Sequence, residues 1–199
     1  MYASPYTPEF CDWGFPYEKH EDRFNGPGAS LQDAENIAPY PVPARGLVDR
    51  PTDIVMTHGP PWARLDRTER EESVGCPHLL RAVMRARPSL CCFGHIHEGW
   101  GAERVKWAER AQKVAEQAMT IEGWKDGGWR RGVAGIEKIE IDRQDAEEKH
   151  AVFVDVSESE SKALQPGNET LFINVAIMDV KYEPVNAPFV VDLDLPRAF

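Results

Sequence analysis

Asp53-Ile54-Val55-Met56-Thr57-His58-Gly59-Pro60-Pro61 and Ser89-Leu90-Cys91-Cys92-Phe93-Gly94-His95-Ile96-His97-Glu98-Gly99 are the two stretches on which the reading of this chain turns. Each is a short apolar run that stops at a glycine-flanked histidine. Gly-Pro-Pro can continue neither a strand nor a helix, so the first run reads as a buried strand ending abruptly at a loop. Between the two runs, Pro77 to Arg87 carries Leu79, Leu80, Val83 and Met84 at helical spacing, with Pro77 in the first turn and Pro88 as the stop. The order is therefore strand, loop, helix, strand. If the strands are parallel neighbours, both histidine motifs lie at the C-terminal edge of one α/β sheet, where ligands of such folds bind.

Outward from this unit the chain is less regular. Residues 1–52 are rich in Pro and Gly and read as a short opening strand and a long ordered loop. Residues 62–75 are charged and read as an exposed turn or short helix. Ala102 to Met119 reads as a helix, and 126–131 as a loop. The charge-rich stretches 137–150 and 157–169 read as mobile insertions. Three further strands are expected at Ala151–Val156, Leu171–Ile177 and Phe189–Leu193. The whole chain, 1–199, is taken as one domain with a polar insertion at about 102–169.

Composition narrows the classes. The formal net charge is −10, so binding along a nucleic-acid backbone is not expected. No apolar run approaches a membrane span. The four cysteines contain no C-x-x-C pair, which points to a reducing, cytoplasmic setting rather than a disulfide framework.

His58, His95 and His97 are the candidate metal ligands. Two histidines two residues apart share a side in extended backbone, and neutral imidazole suits Zn, Mn, Fe, Co or Ni. The plain alternative is that each is a polar cap at a strand end. Cys91 and Cys92 point to opposite faces and cannot share one metal. Glu98 reads as a partner of a ligand histidine or as an exposed carboxylate. Trp62 and Trp100 read as packing residues or as a platform for a flat leaving group. His20, His78 and His150 are taken as surface residues, and Arg81, Arg85 and Arg87 as a solvated helix face.

Thr57-His58-Gly59-Pro60-Pro61 and Gly94-His95-Ile96-His97-Glu98-Gly99, with the helix between them, resemble the last two motifs of the calcineurin-like metallophosphoesterases. The branch of metallophosphoesterase domain-containing proteins is also similar at Tyr2-Ala3-Ser4-Pro5, Thr52-Asp53-Ile54, Gly75-Cys76 and Asn186-Ala187-Pro188. The resemblance covers about residues 1–101 and 170–195. It implies the C-terminal part of a four-layer α/β sandwich and hydrolysis of a small phosphomonoester or phosphodiester at two divalent ions, Mn, Fe or Zn. By position, His58 and His95 resemble ligands of the second metal and His97 a ligand of the first.

The family's earlier D-x-H, G-D and G-N-H-D/E motifs do not occur in this chain. Gly167-Asn168-Glu169-Thr170 lacks the histidine and reads as a turn. One metal or none is then the expectation for these residues alone. Two functions stay open: a hydrolase whose remaining ligands come from elsewhere, and a non-catalytic remnant of the fold that binds a partner. Uncovered sheet edges would leave the isolated chain marginally stable.

Overall fold

The computed structural model describes residues 1–11, 14–47, 51–160 and 162–195. Parts of the loop at 1–52 and of the stretch at 157–169, and the last residues of the 1–199 domain, lie outside the described residues. Along the chain, β1 (Tyr2–Ser4) is followed by the two-residue strands β2 (Thr7–Pro8), β3 (Pro16–Tyr17), β4 (Glu21–Asp22) and β5 (Glu35–Asn36). Then come β6 (Ile54–Thr57), α1 (Pro77–Ala86), β7 (Leu90–Phe93), β8 (Gly101–Trp107), α2 (Ala111–Glu116), α3 (Ile121–Lys125) and β9 (Val133–Lys138). The chain continues through α4 (Arg143–Lys149), β10 (Val152–Asp155), β11 (Glu169–Asn174) and β12 (Phe189–Asp192).

The fold is a mixed α/β one, built on a central sheet of order β1-β6-β7-β11-β8-β9. The first four strands run parallel, β8 runs antiparallel to β11, and β9 runs antiparallel to β8 and so in the direction of the first four. Side chains alternate across β11: Phe172 packs into the cluster that holds α1 and α2, while Leu171 and Ile173 face a second cluster on the other side. That second cluster is closed by the parallel pair β10–β12 and by Ala146 of α4.

α1 is buried along its whole length. The Cys76 thiol caps it by accepting from the Leu79 amide, and Arg87 ends it in a left-handed conformation. Four sequence expectations are corrected here. First, residues 101–107 are a strand, not a helix. Glu103, Val105 and Trp107 alternate inward, and the inward carboxylate pairs with Arg64 at 3.1 Å, so a core position carried a surface residue type. Second, residues 62–75 form turns whose Arg64 and Asp66 are buried rather than exposed. Asp66 accepts from the amides of Ala63 and Gly75.

Third, His78 is fully buried, near Asp22 at 3.7 Å and against the Lys19 carbonyl. Fourth, Arg81 and Arg85 are buried because residues 17–37 cover the helix. Arg81 donates to the carbonyls of Ala29 and Gln117, and Arg85 to the Asn25 amide oxygen. Asn25 in turn donates to Asp22, which satisfies that buried carboxylate. His20 and His150 are exposed, as read.

Candidate metal and phosphoester site

The C-terminal ends of β1, β6, β7 and β11 meet at one edge of the sheet, and the histidine motifs leave from there. The His58 amide donates to the Ser4 carbonyl, and the His58 carbonyl accepts from the Gly94 amide. His58 is thus fixed between the ends of β1 and β7. Thr57 donates its hydroxyl to the Gly59 carbonyl at 2.8 Å, which bends the chain into Pro60-Pro61.

His95 does not continue the strand. Its φ of 69° is left-handed, a conformation that costs a non-glycine residue about 1–2 kcal/mol. His97 begins a 3₁₀ turn at His97–Gly99. The two residues are therefore not related by simple strand alternation. His58 and His95 are brought together, with ring centroids 4.9 Å apart. His97 shares the same open groove of about 690 Å³ but is held from another side. Its Nδ1 lies 2.8 Å from the Asp179 carbonyl, and its ring meets Tyr182 edge-on at 5.6 Å. A carbonyl only accepts, so Nδ1 carries a proton, which in a neutral ring leaves the lone pair on Nε2.

Burial, joined by the neighbouring His58 and His97, pushes the His95 imidazole down to about 4. His95 is neutral at physiological pH, the form that can donate a lone pair. Cys92, on the groove wall, is held protonated because burial pushes its thiol up.

These donors suit a divalent ion one at a time, but a two-ion centre does not fit the described residues. Among the described residues no carboxylate lines the groove. Among the described residues no group of three histidine, cysteine or acidic side chains is placed to hold a metal. Glu98 does not stand behind a histidine; its carboxylate accepts from the Glu69 amide at 3.2 Å in an exposed position. Trp62 and Trp100 are packing residues. Trp62 lies under Lys125, and Trp100 donates to the Ala187 carbonyl beside Phe189. Asn174, Asp179 and Tyr182 were missed by the sequence reading. Asp179 acts through a backbone carbonyl, which has no signature in a sequence.

The chain is similar over nearly its whole length to metallophosphoesterase domain-containing protein 1 of Homo sapiens. The two are 27% identical over 99% of this chain and 36% of that protein. A UPF0046 protein of Caenorhabditis elegans is 32% identical over 51% of the chain and 21% of its own length. These similarities support the metallophosphoesterase branch for this chain. A protein named probable rhamnogalacturonate lyase C, from Emericella nidulans, is 34% identical over 60% of the chain but only 9% of its own length. No protein-family model matches the chain. The metallophosphoesterase motifs therefore sit in a chain that spans about a third of the human relative's length.

Two imidazoles, His78 buried and His95 half-buried, give an expected pH response. Burial lowers His78 below the usual value near 6.5 by more than Asp22 raises it, and burial together with His58 and His97 lowers His95. The unfolded chain therefore binds more protons than the folded one once the pH falls below roughly 6.5. Their stabilising contribution is complete above that pH and is lost as the pH falls toward the folded value, about 4 for His95. Urea midpoints should fall between roughly pH 7 and pH 5. A flat or rising midpoint over that range would contradict the assignment. Among the described residues no helix is long and apolar enough to cross a membrane.

Proposed function

We propose that this chain supplies the imidazole side of a metal-dependent phosphoester hydrolase site, with the carboxylate side coming from residues outside these 199. The observation that carries the reading is the pairing of His58 and His95 at 4.9 Å on the C-terminal edge of parallel strands, inside the family's two histidine motifs. A small phosphomonoester or phosphodiester is the substrate class. Free cysteines, two of them buried, suit a reducing cytoplasmic setting.

The test has two steps: map the 5′ end of the transcript, then assay the protein encoded by the full reading frame. In-frame D-x-H, G-D and G-N-H-D/E motifs are expected upstream. Mn²⁺-dependent hydrolysis of bis(p-nitrophenyl) phosphate should accompany them. Alanine at His58 or His95 should lower that activity by at least about 100-fold, beyond what losing an outer-shell partner does. His20→Ala is the control, because His20 is exposed whereas His78 is part of the core. Translation that begins at Met1, with no divalent ion bound, would leave the non-catalytic binding protein as the reading.

A further inference from the structure

Asn174 ends β11, opposite Phe93 of β7 on one side and Gly101 of β8 on the other. It is fully buried. Both amide hydrogens are used: Nδ2 donates to the Leu65 carbonyl at 3.0 Å and to the Ile96 carbonyl at 2.8 Å. Its Oδ1 accepts from the Ala176 amide at 3.0 Å. The three partners lie on three separate segments. Leu65 belongs to the turn after Pro61, Ile96 is the residue between the two histidines, and Ala176 opens the loop that carries Asp179 and Tyr182.

We infer that Asn174 is the positioning residue of the histidine groove: it fixes the peptide between His95 and His97 and, through Ala176, the loop whose Asp179 carbonyl orients His97. The strand ladder cannot do this. Ile96 lies beyond the end of β7, and its amide bonds only locally, to the Gly94 carbonyl. Only a planar amide of this length meets the requirement. Aspartate keeps the acceptor but would face two carbonyls with a carboxylate; serine has one hydrogen to give instead of two. Gly99 closes the same knot, because a Cβ there would sit 2.7 Å from Asn174 Nδ2. The inference stands on these bonds and is independent of the hydrolase reading.

Imidazole ¹⁵N spectra of the whole chain test it. In the native protein His97 should show a protonated Nδ1. In Asn174→Asp and Asn174→Ala that signature should be lost, with His97 passing to a mixture of tautomers while the amide spectrum stays folded. Thr170→Val is the comparison for general loosening. Thr170 is equally buried on the same strand and bonds Pro88 and Trp107, away from the groove. It should leave the His97 signature intact. An unmoved His97 in a folded Asn174 variant would overturn the inference, as would the same loss in Thr170→Val. Should neither Asn174 variant fold, hydrogen exchange in the native chain decides. The Asn174 side-chain amide should be protected relative to that of the exposed Gln144; equal exchange would sink the proposal.

Discussion

Replacing Glu103 by alanine is expected to cost about 3–5 kcal/mol of folding stability, read as a large drop in urea midpoint. The Arg64 and Glu103 side chains are only 4% and 6% exposed, and their charges lie 3.1 Å apart. Burial pulls Arg64 down and pushes Glu103 up from their usual values, and the charge of each opposes that pull on the other. Removing Glu103 strands a guanidinium under the Trp129 ring, at 5.1 Å, with Nε and Nη1 already lacking a hydrogen-bond acceptor among the described residues. The pair itself is a different matter. Two charges taken out of water gain little net energy over an apolar pair of the same volume. Arg64→Met combined with Glu103→Leu should therefore cost less than Glu103→Ala alone, with a clear coupling energy in the double-mutant cycle. Additive losses would show that the two side chains do not depend on one another.

Gly99→Ala is expected to be the most damaging glycine substitution near the groove. A Cβ at this position would come 1.9 Å from the Leu65 carbonyl oxygen, and backbone cannot rotate away as a side chain can. The cost should reach the upper end for overpacking, about 3 kcal/mol. Gly135→Ala is the matched control. It lies in β9 at the edge of the sheet, and an added Cβ would meet nothing within 4 Å. That change should stay within about 0.5 kcal/mol of the parent. Comparable effects at the two positions would mean that the turn at Leu65 yields to the intruding methyl.

The parts of the fold that could be read from sequence share one property: their signal is local. Ile54–Thr57, Pro77–Ala86 and Leu90–Phe93 have their apolar periods and their stops within a few residues, and the structure places all three as read. The strands at 152–155, 169–174 and 189–192 follow the same rule. The failures are polar groups whose partners are remote. Glu103 looks like a helix surface until Arg64 is beside it. His78, Arg81 and Arg85 look solvated until residues 17–37 lie over them. The site divides in the same way. The motif histidines were visible, whereas the carbonyl of Asp179 and the amide of Asn174 gain meaning only from chain brought in 78 or more residues away.

The strand order has a consequence for the sequence of events by which the molecule is made. β7 and β8 are near neighbours in the chain, yet they never pair; β11 lies between them. A ribosome releases β6, α1, β7, β8 and β9 well before residue 174, and until then the sheet exists as two unjoined halves. The late strand is also the one that ends in Asn174. Insertion of β11 must pay the loop-closure entropy of both halves at once. The histidine groove is thus among the last parts of the chain to take shape, and a nascent chain stalled between Gly99 and Asn174 carries both histidine motifs and no groove.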